Sequence, residues 1–213
     1  MKVFEPLDIK GMHLKNRIGF APFLNMPAAQ GNFTNNHTIR WFETRAKGGA
    51  GFIMTGTVMP VPPPPQAPSL LGMQGIGLYD DRFVPGFAKI AEAVHAHGAK
   101  VGVQIVLGGP MGGLAPSLPP YPDVKNATDE LFSILSGYKM PIVELPIEQI
   151  EVIENFIAQA AARAKAAGAD CVELHCAHGG ATLHCSFISP YYNRREDKYG
   201  GSWENRLRFP VET

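Results

Sequence analysis

The chain has 213 residues, 45% of them hydrophobic, and its 19 basic side chains balance 19 acidic ones. That is enough apolar material for one core, and zero net charge argues against nucleic acid or a membrane surface as the main partner. The cysteines Cys171, Cys176 and Cys185 are odd in number and lack C-x-x-C spacing, which disfavours a disulfide framework and suits a reducing cytoplasm. The opening M-K-V-F-E-P-L-D-I-K shows no leader pattern, and no run of about 18 apolar residues occurs, so secretion and membrane spanning are disfavoured.

In chain order, Phe4, Leu7, Ile9, Met12 and Leu14 are separated by polar residues around Lys10-Gly11, which predicts a hairpin over 3–18. A first buried strand is expected over 18–21. Asn35-Asn36 and Gly48-Gly49 bracket a helix over 38–47, and 51–55 reads as the second strand. Phe83, Phe87, Ile90 and Val94 form one stripe of a helix over 82–97 that stops at Gly98. Valine-rich 100–106 is the third strand. After a long loop, Ile150, Ile153, Ile157 and Ala161 mark a helix over 148–167, followed by a fourth strand over 170–175. A fourth helix opens over 202–209. Four strands, each apolar on both faces and alternating with helices, predict a parallel sheet covered on both sides. The proline-rich stretches 60–68 and 110–122 follow the second and third strands, and read better as stiff pocket-shaping loops than as polyproline ligands.

Two histidines, His175 and His178, come directly after the fourth strand, where a repeated β/α architecture places its chemistry. On a continuing strand residues three apart face opposite ways, so a turn through Cys176-Ala177 is needed to bring both imidazoles together, and Gly179-Gly180 suits it. Paired core histidines are the plainer alternative. A chemical rival is a metal-binding hydrolase that draws on His175, Cys176, His178, His184 and Cys185, although their spacing matches no common zinc pattern. Gln104 lies in V-G-V-Q-I-V among apolar residues and glycine. Its buried amide must find partners or cost roughly 1–3 kcal/mol: either a neighbouring backbone or the edge of a planar heterocycle.

Several segments together are highly specific: F-E-P-L-D-I-K-G-M-H-L-K-N-R-I-G-F-A-P-F at 4–23, R-A-K-G-G-A-G-F-I-M-T-G at 45–56, G-L-Y-D-D at 77–81, A-V-H-A-H-G-A-K-V-G-V-Q at 93–104, and S-P-Y-Y-N-R-R-E-D-K-Y-G-G-S-W-E-N-R-L-R-F at 189–209. On these the chain resembles the old yellow enzyme family of FMN-dependent ene reductases, in particular the NADH:flavin oxidoreductase branch that includes 2,4-dienoyl-CoA reductase and bile-acid enone reductases. The resemblance implies an α/β fold, a TIM (β/α)₈ barrel with FMN at its C-terminal mouth, of which 1–213 would be the N-terminal half: the first four βα units behind an N-terminal hairpin. By the same resemblance Ala21, Pro22, Phe23 and Leu24 border the flavin, Gly56 lines it at the end of the second strand, and Gln104 bonds its pyrimidine ring. His175 and His178 hold the carbonyl oxygen of an α,β-unsaturated substrate, and NAD(P)H is the reductant.

The chain departs from the family after the histidine pair. It is two residues longer there and lacks the tyrosine that gives the α-proton, which leaves Tyr191, Tyr192 and His184 as local candidates, with a residue past Thr213 as the other source. Leu107 and Pro110 replace a histidine and an arginine, making that wall more apolar and suiting a steroid, bile acid or enoyl thioester. A full barrel takes about 250 residues, with its phosphate site after strands seven and eight. The phosphate site, a [4Fe–4S] cluster and an FAD- or NAD(P)H-binding domain would then lie past Thr213. The fragment alone is expected to be inactive, with the other half of the barrel and self-association as partners. A non-catalytic half barrel is the remaining alternative.

Overall fold

The computed structural model describes residues 1–23, 30–62, 75–109, 114–118, 142–178 and 181–213. Leu24, Pro110 and most of both proline-rich stretches lie outside these residues. The described residues of Met1–Pro62, Gly72–Ile105 and Gln159–Leu174 form one compact unit, and those of Val106–Ala158 and His175–Thr213 form a second.

In the first unit the predicted hairpin is present as Leu7–Ile9 (β1) paired antiparallel with Met12–Leu14 (β2). Its loop is Lys10-Gly11, both at positive φ (46° and 88°), the backbone that a tight two-residue hairpin with the right-handed strand twist requires. Gly19–Phe20 (β3), Phe52–Met59 (β4), Lys100–Ile105 (β6) and Cys171–Leu174 (β9) then pair parallel in the order β3-β4-β6-β9. Ile76–Gly77 (β5) adds to the far end of β4. Spatial order follows chain order without a reversal, as in a barrel and unlike a doubly wound sheet, whose order reverses at a switch point.

The helices form where capping and periodicity demand them. Asn36–Lys47 (α1) starts at Asn35, whose side chain accepts the Thr38 N–H at 2.8 Å, and stops at Gly48-Gly49. Val84–His95 (α2) buries Phe87, Ile90 and Val94, the predicted stripe. Ile147–Ala166 (α3) buries Ile150, Ile153 and Ile157 and continues through Ala160 and Ala164, with Ala161 only half-buried. At the start of β9, Asp170 accepts from His95 (2.7 Å), Lys100 (2.9 Å) and the Val101 N–H (2.9 Å). Burial by itself would raise its carboxyl, but these three bonds outweigh it and hold the pKa below the usual value.

Two expectations fail for one reason. The first strand is two residues of exposed and half-buried character, and β9, expected to be apolar on both faces, exposes Val172 and Glu173. Both are edge strands of the described sheet, so neither is flanked on two sides. Only β4 and β6 show the nearly continuous burial of a central parallel strand.

The second unit contains Leu114–Ala115 (β7) paired parallel with Val143–Glu144 (β8), the short helix Leu183–Ile188 (α4), and Trp203–Glu212 (α5), capped by Ser202. Helix α4 and strands β5, β7 and β8 are absent from the sequence reading, being too short to carry a period. Arg195, with a side chain only 6% exposed, ties this unit together. Its guanidinium donates to the carbonyls of Pro116 (3.0 Å) and Leu145 (2.6 Å) and forks onto Asp197 (2.5 and 3.0 Å). The bond from Arg195 is the main reason that the Asp197 carboxyl lies below its usual range.

Candidate active site

In the first unit, the residues expected to border a flavin lie at or near the C-terminal ends of its strands. Ala21, Pro22 and Phe23 follow β3 directly, with Ala21 exposed, Pro22 half-buried and Phe23 49% exposed against Trp41. Gly56 does not end its strand, as the sequence implies; β4 runs on to Met59. Gly56 sits instead in a bulge, where Met54 pairs with Gly102 and Thr57 with Gln104, so that Thr55 and Gly56 oppose Val103 alone. Bulges re-aim backbone beside active sites. The freed ladder group is satisfied locally, since the Thr55 hydroxyl accepts the Gln104 backbone N–H at 3.3 Å.

Gln104 is 7% exposed, and within the chain its amide is met by a side chain and not by a neighbouring backbone. Its Nε2 donates to Glu173 Oε1 at 2.6 Å, from the residue paired with it in the parallel register of β6 and β9. Residues paired in register share a sheet face, so Gly102, Gln104, Cys171 and Glu173 point the same way. At Gly102 this face is tight: a Cβ would lie 2.8 Å from both Cys171 Sγ and Met54 Cε.

In the second unit the histidines converge. His175 Nε2 and His178 Nδ1 are 2.6 Å apart, with ring centroids at 4.7 Å and planes at 64°. The turn that achieves this puts His178 itself at φ 69°, in the left-handed region. The Thr182 hydroxyl donates to the Ala177 carbonyl at 2.6 Å, and the Ala181 N–H to the His178 carbonyl at 3.0 Å, fastening both sides of the bend. His175 is half-buried and His178 exposed. An oxygen held by both nitrogens would have to displace this mutual contact.

The proton-donor candidates separate. Tyr191 is half-buried and Tyr192 4% exposed, stacked edge to face at 4.8 Å. His184 is fully buried, stacked on Phe209, with Nε2 3.2 Å from the Thr213 hydroxyl and Nδ1 without a partner. Burial, and secondarily the nearby His175, pushes its pKa down to about 4. It is therefore neutral at pH 7 and does not serve as an imidazolium acid, which corrects its candidacy. Between 6.5 and about 4 the unfolded chain binds a proton at His184 that the folded chain refuses. Stability from the neutral imidazole is thus complete above pH 6.5 and is lost as the pH falls toward 4, by up to about 3 kcal/mol. Urea denaturation at pH 7 and pH 5 is expected to show this loss in the unmodified chain, and His184→Leu is expected to remove most of the difference. An equal acid loss in the variant would exclude His184 as the cause.

Among the described residues, no three His, Cys, Asp or Glu side chains gather in a way that could hold a metal ion, so the five-residue cluster gives the hydrolase alternative no site. Cys171, Cys176 and Cys185 are not joined in disulfides. No helix among the described residues is long and apolar enough to cross a membrane. Leu107 is buried, and its carbonyl accepts the Leu183 N–H at 2.9 Å.

The family model of the NADH:flavin oxidoreductase / NADH oxidase family matches residues 2–213. The chain belongs to this family. An NADPH dehydrogenase of Bacillus velezensis is 37% identical over 100% of this chain and 58% of its own length. An NADPH dehydrogenase of Bacillus subtilis is 36% identical over 98% and 57%. The crystal structure of Old Yellow Enzyme from Pichia sp. AKU4542 superposes with a TM-score of 0.81 at 30% identity, covering 99% of this chain and 54% of that one. The chain thus spans a little over half the length of these relatives. Its fold is that part of a (β/α)₈ barrel which comprises the hairpin and the first four βα units.

Two residues at the site escape the sequence reading. Glu173 is the one charge within β9, which was the available signal, but nothing in its spacing names Gln104 as its partner. Thr182, which fastens the histidine turn, carries no signal at all.

Proposed function

We propose that the chain carries the flavin- and substrate-binding half of an FMN-dependent ene reductase, in which NAD(P)H provides the reducing equivalents for saturating a C=C bond conjugated to a carbonyl. The observation that carries this reading is the convergence of His175 Nε2 and His178 Nδ1 to 2.6 Å immediately after the fourth strand of the sheet. Bound FMN would supply hydride. The chain's own residues do the remainder. The backbone after β3, the side-chain-free position Gly56 and the amide of Gln104 suit a planar ring bearing a donor and acceptor edge; Leu24 is assigned to the same border from the family pattern. Saturation of an enone drives negative charge onto its carbonyl oxygen, and two preorganised imidazoles stabilise that charge most where it develops.

Tyr191 or Tyr192 is proposed to deliver the α-proton, since a phenol is protonated at neutral pH and can pass a proton to a carbanion. The test uses this chain within a complete barrel, loaded with FMN, reduced anaerobically with NADPH and then mixed with a simple cyclic enone. Prompt return of the oxidised flavin absorbance is expected, and none at saturating enone would reject the reading. In the same experiment Tyr191→Phe or Tyr192→Phe is expected to block product formation without altering reduction by NADPH. Wild-type rates in both variants would assign the proton to another donor.

A further inference from the structure

We infer that Glu173 is a positioning residue for the cofactor, setting by its hydrogen bond which atoms of the Gln104 amide are turned toward the flavin. This rests on the reading that Gln104 meets the pyrimidine edge of the ring. A free glutamine amide can flip, exchanging oxygen for nitrogen with little change in shape. Glu173 removes that freedom, because a carboxylate accepts and cannot donate, so only Nε2 satisfies it. The contact is short, 2.6 Å, as expected of a bond to a carboxylate. It is also built in from the backbone: Gln104 and Glu173 are register partners, and the Gln104 N–H is held separately by Thr55. Glu173 therefore acts on a side chain already fixed at its root. With one Nε2 proton committed, the amide presents its Oε1 and its second N–H. That acceptor and donor pair complements an imide edge, whose ring N–H donates and whose carbonyl accepts.

Glutamine at 173 keeps an acceptor oxygen but adds an amide donor that also satisfies a flipped Gln104, so it replaces the carboxylate only in part, whereas alanine offers no acceptor. The two variants therefore separate orientation from mere packing. In the unmodified 213-residue chain without FMN, nitrogen-15 labelling of glutamine side chains, assigned by the signal lost in Gln104→Leu, is expected to show one Gln104 amide proton exchanging about 3- to 10-fold more slowly than those of solvated glutamines, as for one net hydrogen bond. Glu173→Gln is expected to retain part of this slowing and Glu173→Ala to abolish it. In FMN titrations of a complete barrel containing this chain, followed by flavin fluorescence, Glu173→Ala is expected to weaken binding about 3- to 10-fold, and Glu173→Gln to restore only part of the loss. Equal exchange of both Gln104 amide protons at the solvated rate in the unmodified chain overturns the pairing, even if neither variant folds. Unchanged FMN affinity in Glu173→Ala, with the slowing lost, overturns the positioning role alone. If Gln104→Leu binds FMN as well as the unmodified chain, the placement of Gln104 on the flavin fails, and this assignment fails with it.

Discussion

Replacing His175 or His178 by alanine is expected to slow reoxidation of the reduced flavin by an enone about 10²–10³-fold, the usual cost of one oxyanion donor. Reduction of the flavin by NAD(P)H is expected to stay nearly intact, because the pair meets only the second substrate. The geometry sharpens the expectation. Two nitrogens 2.6 Å apart share one proton, so one donates and the other accepts. Holding an oxyanion requires both to donate. The substrate oxygen must therefore replace the mutual bond and draw a proton or a change of tautomer with it, and loss of either ring leaves a single donor. Alanine is the informative replacement at position 178, since it removes the ring yet, like histidine, carries a Cβ and gains none of the left-handed freedom that glycine would bring. Stopped-flow measurement of the two half-reactions separates the outcomes. Equal losses in both would make the histidines structural.

Arg195→Ala is expected to destabilise the second unit by about 3–5 kcal/mol, the range found when one partner of a buried ion pair is deleted. The loss is large because one guanidinium serves three acceptors, and alanine takes that donor from the buried Pro116 and Leu145 carbonyls and leaves Asp197 with the Tyr199 N–H. Arg195→Lys keeps the charge but cannot fork, so it is expected to recover only a part. Asp197 adds a pH signature. Its pKa is depressed in the folded chain, so its contribution is present above the ordinary value of 3.8 and disappears as the pH falls below it. Denaturant unfolding at neutral pH checks the first claim. A shift below about 1 kcal/mol, as for an exposed pair, would show the network to be dispensable.

The helices were legible because each stripe was long enough to repeat: Phe83, Phe87, Ile90 and Val94 all become core, and Asn35 caps as its residue type suggests. The strands were legible in place but not in extent. A parallel strand's burial depends on neighbours on both sides, and the sequence of β9 does not say that it lies at the edge of the described sheet. The histidine pair could be located, and the need for a turn stated, from spacing alone. The device that makes the turn, a left-handed His178 fastened by Thr182, could not be read, because that conformation is rare for histidine and is imposed by contacts. Gln104 was correctly singled out as an amide in need of a partner. Glu173 became that partner through register, and register is a property of two strands and not of one.

The left-handed backbone of His178 has a consequence for how this protein can change. An L-residue bearing a Cβ gives up about 1 kcal/mol or more to occupy that region, and glycine gives up almost nothing. The most stabilising replacement at position 178 is therefore one that deletes an imidazole of the pair. Any process that selects this chain for thermal endurance alone, whether in a laboratory screen or by drift toward a tougher fold, is pulled at this position toward glycine and away from chemistry. Retention of histidine there through such a selection would be a direct record that function was under test.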